Sequence, residues 1–190
     1  TVPAQRLAVH YLRDVSMEYN CVIHLGGHSK GGNLAVFAAA RCGPMIQNRI
    51  QSVYNHDGPG FTGYLMGDPG YLAMVPRIHT FIPQSSVIGM LLEHEEPYTV
   101  IRSKSIGLLQ HDLYTWDVLG KAYIPVEEIT ESSQFVDTTI KTWFADMTNE
   151  ERNRLVDVMF TLLGTGGVDN AIEGNDNNAG NNTRGRARVR

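Results

Sequence analysis

No apolar run in this chain approaches the ~18–20 residues that a membrane-spanning helix needs, so a helical membrane anchor within the sequence is excluded. Cysteine is scarce. Cys21 and Cys42 are the only two in 190 residues, which rules out a disulfide scaffold and matches no metal-binding spacing. Both read as buried free thiols, Cys21 on a strand and Cys42 at a helix end, and a cytoplasmic location is the expectation. Basic charge is also lacking. Lysine and arginine total 16 against 20 acidic residues, and Arg184, Arg186, Arg188 and Arg190 crowd the last seven positions. The acidic body that remains is not a nucleic-acid binder on charge grounds. What is present is ordinary: 42% hydrophobic residues, enough for one domain with a core of its own.

The pattern along the chain alternates strand and helix. Residues 3–18 read as a helix with Pro3 in its first turn and Leu7, Tyr11, Leu12 and Val15 on one face. Residues 21–25 form a buried strand, 30–42 a helix closed by Gly43-Pro44, and 50–54 a second strand. Asn55 to Gly60 is a loop, and 61–75 an irregular excursion. Strands at 77–82 and 98–103 follow. Helices are expected at 133–146 and 149–163, the second opened by the capping box Thr148-x-x-Glu151. Residues 1–165 form the domain. From 166 the chain turns Asn/Gly/Arg-rich and is expected to be a disordered tail. The fold class is α/β, with a mostly parallel sheet flanked by helices.

The most informative segment is Gly27-His28-Ser29-Lys30-Gly31. It lies between an apolar strand and an Ala-rich helix. In that context a G-x-S-x-G sequence forms a nucleophile elbow, with the serine hydroxyl exposed on a strained turn. Gly27 and Gly31 are expected to be glycine because side chains there would strike the neighbouring strand and helix. The Lys30 backbone N–H, at the helix N-terminus, is the expected oxyanion donor.

A serine needs a base, and the base needs an acid to orient it. Chain order in such folds runs Ser, acid, His. His111 follows the last strand and is the candidate base. His24 and His28 lie too close to Ser29 in sequence to reach it from the correct side. His24-x-x-x-His28 is no zinc site, because on strand and turn the two do not share a face. His94, inside Glu-His-Glu-Glu, reads as solvated. Asp57, ending a strand before Gly-Pro-Gly, is the favoured acid. Glu93 and Asp112 remain as alternatives. The mechanism requires neither cofactor nor metal.

Gly27-His28-Ser29-Lys30-Gly31-Gly32-Asn33-Leu34-Ala35 resembles the elbow of class 3 lipases, with Lys30 where those usually carry Leu. Val53 to Phe61, Ile82 to His94 and Gln110-His111-Asp112 make the chain more similar to the Mbeg-like bacterial α/β-hydrolase family, over residues 1–165. That resemblance implies an α/β-hydrolase fold, a nucleophile at Ser29, a histidine at His111 and a lipase or esterase activity. Class 3 lipases place their acid after the strand equivalent to 77–82. Here Pro83-Gln84-Ser85-Ser86 stands in that loop, so the acid has moved to Asp57 or been lost. The family's upstream strands, with the second oxyanion donor, precede Thr1. The chain is therefore expected to be the C-terminal part of the domain.

The leading expectation is a serine hydrolase acting on a small ester or lipid-like substrate. Val87 to Leu92, with Phe61, Tyr64 and Leu65, reads equally as acyl pocket or as core. The alternatives are a non-catalytic binding or scaffold module, and an acyltransferase or peptidase using the same residues.

Overall fold

A computed structural model describes residues 2–61 and 63–127, with Met147, Thr148, Glu151, Arg154 and Val158. The chain divides into two units, Thr1–Thr142 and Trp143–Arg190. In the second, Glu151 accepts the Thr148 N–H at 2.8 Å and Thr148 Oγ1 accepts the Glu151 N–H at 3.3 Å, so the expected capping box forms. The rest of the expected helices at 133–146 and 149–163, and the tail, lie outside the described residues.

The first unit is built on a four-stranded sheet in the order β1-β2-β3-β4. Its strands are β1 (Ile23–His28), β2 (Ile50–His56), β3 (Ile78–Pro83) and β4 (Tyr98–Ile101), and every neighbouring pair is parallel. The helices are α1 (Pro3–Glu18), α2 (Lys30–Arg41), α3 (Pro44–Gln47) and α4 (Pro69–Met74). A short antiparallel hairpin, β5 (Val118–Leu119) with β6 (Ala122–Tyr123), follows the sheet. Chain order and strand order coincide, so each strand's C-terminal end lies beside the next. In open α/β sheets that edge carries the reactive groups.

Alternation decides which side of each strand is covered. Ile50, Val53 and Asn55 on β2, and Ile78, Thr80 and Ile82 on β3, are buried. Val36, Phe37, Ala38, Ala39 and Ala40 of α2 belong to the same core as Ile50 and Val53, with Tyr71 and Met74 of α4. The alanines let α2 lie close to the strands. On the other side Tyr54 stacks on His79 and His56 on Phe81, with ring centroids 5.2 and 5.5 Å apart. Tyr123 of the hairpin meets His56 and Phe81 there at 5.8 and 5.5 Å. A cavity of about 810 Å³ opens between this face and the hairpin, and none of Ser29, Asp57 or His111 lines it.

Several sequence expectations need correction. β1 starts at Ile23 and continues through both glycines to His28, which leaves Cys21 outside the strand and exposed, while Cys42 is buried as expected. β2 extends through Asn55 and His56, since their backbones pair with β1 and β3. The excursion contains α4, nucleated by Asp68, whose carboxylate accepts the Gly70 and Tyr71 N–H groups at 2.9 and 3.2 Å. The fourth strand stops at Ile101.

The inward face of α1 is Gln5, Val9, Leu12 and Ser16, whereas Leu7 and Tyr11 are exposed. Hydrogen bonds explain the difference. Gln5 Nε2 donates to Asn33 Oδ1 at 3.0 Å and Ser16 Oγ donates to the Arg13 carbonyl at 2.7 Å, so both polar groups are satisfied inside. Phe61, Leu65, Ile88 and Leu91 are all fully or nearly fully buried. The segment offered as an acyl pocket contributes these side chains to the interior. Tyr64, by contrast, is half exposed.

Candidate active site

The sheet register sets Ser29 and Asp57 side by side. His28 of β1 is level with His56 of β2, and His56 with Phe81 of β3. One step further, the Ser29 N–H still donates to the His56 carbonyl at 2.9 Å, and the Asp57 N–H to the Phe81 carbonyl at 2.8 Å. The sheet ladder therefore runs through both residues. At both, the backbone then turns into positive φ, 57° for Ser29 and 50° for Asp57. Positive φ is uncommon for residues with a Cβ, and a packed surround must hold it.

That surround consists of close backbone contacts. A Cβ on Gly27 would lie 2.2 Å from the Gly31 carbonyl carbon, and one on Gly32 would lie 2.1 Å from Asn55 Oδ1. Gly31 itself has open space, so the steric requirement expected there falls on Gly27 and Gly32. A Cβ on Gly58 would strike the Ser29 carbonyl oxygen at 2.5 Å. Asn33 of α2 donates to the Pro59 and Gly60 carbonyls at 2.9 and 3.0 Å, tying the acid loop to the elbow helix. Asn55 Oδ1 accepts the Gly58 N–H at 3.1 Å and shapes the same loop from the strand side.

Asp57 is fully buried and both its carboxylate oxygens are engaged. Oδ2 lies 2.7 Å from His111 Nδ1. Oδ1 accepts from Ser86 Oγ at 2.5 Å and from the Gly89 N–H at 3.0 Å. The other candidate acids stand elsewhere. Asp112 caps the turn that follows it, accepting the Tyr114 N–H at 3.0 Å, and Glu93 is exposed on a backbone bridge to Phe61. The acid that meets His111 is Asp57, on the strand next to the elbow strand.

His111 closes a 3₁₀ turn, Gly107–His111, well beyond the end of β4. Gln110 fixes that turn. Its Oε1 accepts the Ser85 N–H at 2.8 Å, its Nε2 donates to the Ser105 carbonyl at 2.8 Å, and its own carbonyl accepts from Trp116 Nε1 at 2.8 Å. His28 braces the ring from below, with centroids 4.4 Å apart. His28 Nε2 lies 2.7 Å from the His111 carbonyl, so this nitrogen carries the proton. Burial, and then the neighbouring His111, hold the His28 pKa below its usual value.

A family model described as Mbeg1-like matches residues 1–161. The chain belongs to the Mbeg1-like family. No curated protein matches it.

In this Mbeg1-like chain, Ser29 begins α2 without capping it through its side chain. Its carbonyl accepts the Gly32 and Asn33 N–H groups at 3.0 and 3.3 Å. The amides of Lys30 and Gly31 precede the first intrahelical bond, where helix N–H groups lack internal acceptors. Among the described residues, no hydrogen bond joins Ser29 Oγ to the His111 ring. No group of three or more candidate metal ligands occurs among the described residues.

Sequence reasoning missed Asn33, Asn55, Ser86, Gly89 and Gln110, which hold the three candidates in place. All five stand inside the segments that carry the family resemblance, which implied no role for them. His94 is not the solvated residue its acidic neighbours suggest. It lies 3.0 Å from Glu96 and 2.9 Å from the Gly89 carbonyl, with 10% of its side chain exposed.

Proposed function

We propose that the chain is a serine hydrolase of the α/β-hydrolase type, cleaving carboxylic esters through an acyl-enzyme on Ser29. The observation that carries this reading is the Asp57–His111 hydrogen bond at 2.7 Å, between residues 54 apart in sequence. It fixes Nδ1 of His111 as the N–H end of the ring. Nε2 is then the nitrogen left to take a proton.

Ser29 Oγ attacks the ester carbonyl carbon as His111 Nε2 removes its proton. The carbonyl π electrons move onto oxygen, where the Lys30 backbone N–H and the α2 N-terminus stabilise the charge. Collapse expels the alcohol, which leaves with the proton from His111. Water then repeats the sequence on the acyl-enzyme and frees Ser29. The His111 imidazolium formed in each half is offset by Asp57, whose Oδ1 is already held by Ser86 and Gly89.

A binding-only reading draws on one observation, that Ser29 Oγ is not hydrogen-bonded to His111. Such contacts are often loose before substrate binds. A fluorophosphonate probe separates the two readings without knowledge of the substrate. The expected result is one covalent adduct on the Ser29 peptide, absent in Ser29→Ala. A wild-type chain that stays unlabelled overturns the hydrolase reading.

A further inference from the structure

A second carboxylate–histidine pair is linked to Asp57 through a single residue, Gly89, and the proposed chemistry does not use it. Glu96 is buried, with three donors on its carboxylate: Tyr71 Oη at 2.6 Å on one oxygen, Thr80 Oγ1 at 2.7 Å and His94 Nδ1 at 3.0 Å on the other. Burial alone would raise its pKa. The bonds from His94, Tyr71 and Thr80 outweigh that and hold it below the usual range.

The other nitrogen of His94, Nε2, lies 2.9 Å from the Gly89 carbonyl oxygen. A carbonyl only accepts, and so does an ionised carboxylate. Nε2 therefore carries a proton and donates it to the Gly89 carbonyl. Gly89 is the link: its carbonyl is held by His94, and its N–H is shared between Asp57 Oδ1 at 3.0 Å and Ser86 Oγ at 3.1 Å. There is no slack at this residue. A Cβ on Gly89 would sit 2.3 Å from Asp57 Oδ1, 2.7 Å from Ile82 Cγ2 and 2.9 Å from Ser86 Oγ.

We infer that His94 is a positioning residue: clamped by Glu96, it holds the Gly89 carbonyl and through it the orientation of that residue, so that the Gly89 N–H and Ser86 fix Asp57 Oδ1 and leave Oδ2 facing His111. Two features separate this from ordinary core packing. The clamp ends on the residue whose own N–H meets Asp57 Oδ1, with only the Gly89 Cα between the two contacts. The Glu96 side consists of charge-assisted bonds from three different parts of the chain, which makes it stiff. The inference rests on the hydrolase reading for its effect on chemistry, but not for its effect on the Asp57–His111 bond.

The test therefore reads both. Proton NMR of the full chain should show a low-field signal from the His111 Nδ1–H held by Asp57. In His94→Ala that signal should move upfield, and fluorophosphonate labelling of Ser29 should slow about tenfold or more, the scale of a small misplacement at an acid–base site. His94→Gln keeps an N–H for the Gly89 carbonyl and should restore part of both. A folded His94→Ala with the wild-type signal and labelling rate overturns the inference. The wild-type chain offers a check that needs no variant: histidine ¹⁵N spectra should show a proton on Nε2 of His94, and an unprotonated Nε2 overturns it equally. Were the wild type unreactive to the probe, the hydrolase reading would fall, while the His111 signal would still decide the role of His94.

Discussion

Asp57–His111 and Glu96–His94 are similar in composition and burial, with carboxylate side chains 1% and 0% exposed and rings 9% and 10% exposed. They differ in what lies beyond the ring. His94 ends on a backbone carbonyl, so each nitrogen has a fixed acceptor and the pair is closed. His111 meets an acceptor through Nδ1, and no described residue takes its Nε2. A closed pair can hold a proton but has nowhere to pass it. A pair with one end open at the C-terminal edge of the sheet, beside a strained serine, can exchange one. Burial and a carboxylate partner do not by themselves distinguish a catalytic histidine from a structural one; the second nitrogen does.

The largest expected effect comes from altering the open pair alone. Asp57→Asn keeps the volume but can present N–H where His111 also presents one. Loss of the analogous acid function costs about 10⁴-fold in turnover. Ester hydrolysis by Asp57→Asn should fall on that scale, while circular dichroism stays unchanged. Glu96→Gln should do the reverse, lowering stability by about 3–5 kcal/mol as a broken buried pair does, with a far smaller loss of turnover. Comparable turnover losses in the two variants would remove the distinction drawn between the pairs.

Next in size is Gly89→Ala, which acts on the peptide between the pairs. The added methyl would overlap Asp57 Oδ1 at 2.3 Å. Displacing an orienting acid by about an ångström should lower turnover about a hundredfold, with the substrate KM little changed. Wild-type kcat in this variant, measured with an activated ester, would show that the turn yields without moving the acid.

These contrasts also mark what was legible in the sequence. The elbow was legible because its geometry is local: strand, two tight glycines, serine and helix follow one another, and the φ of 57° at Ser29 arises within that stretch. The parallel sheet was legible from strand spacing. The choice of Asp57 over Glu93 rested on its place at a strand end before Gly-Pro-Gly, since chain order admits both, and the contact that separates them spans 54 residues. The face of α1 was misread because Gln5 and Ser16 point inward, and their partners, Asn33 and the Arg13 carbonyl, do not appear in a hydrophobicity pattern. His94 was misread for the opposite reason. Its three acidic neighbours suggest a solvated face. The structure alternates burial along the run, with Glu93 and Glu95 exposed, His94 part-buried and Glu96 buried.

A smaller effect tests the stiffness of the closed pair. Tyr71 donates to Glu96 Oε2 at 2.6 Å. Burial, and then the Glu96 bond, raise the Tyr71 pKa far above its usual value. Tyr71→Phe removes that donor from a buried carboxylate, which should cost about 1.5–3 kcal/mol, read as a lower urea midpoint at unchanged slope. A midpoint equal to wild type would mean that His94 and Thr80 suffice to hold Glu96.

The smallest effect concerns the histidines that bracket the open pair, through their charge. Burial, followed for His28 by the His111 neighbour, lowers the pKa of both His28 and His56. Each is therefore more readily protonated in the unfolded chain than in the folded one. By linkage, the stability this provides is complete above the ordinary histidine value of about 6.5. It is lost as pH falls through that value toward the lowered folded ones. Urea midpoints should thus be level from pH 8 to 7 and decline between pH 6.5 and 5. His56→Phe, which keeps the stack on Phe81 and removes the titrating group, should flatten part of that decline. The charge also reaches the chemistry. A protonated His28 sets a second cation 4.4 Å from the His111 ring, where it would oppose the imidazolium that the proposed reaction forms. Labelling of Ser29 should therefore fall on the acid side more steeply than titration of a single base allows, and His28→Gln should return the profile to one ionisation. A single-ionisation profile in the wild type, or stability that rises as pH drops from 7 to 5, would show that these histidines carry no charge burden in the folded chain.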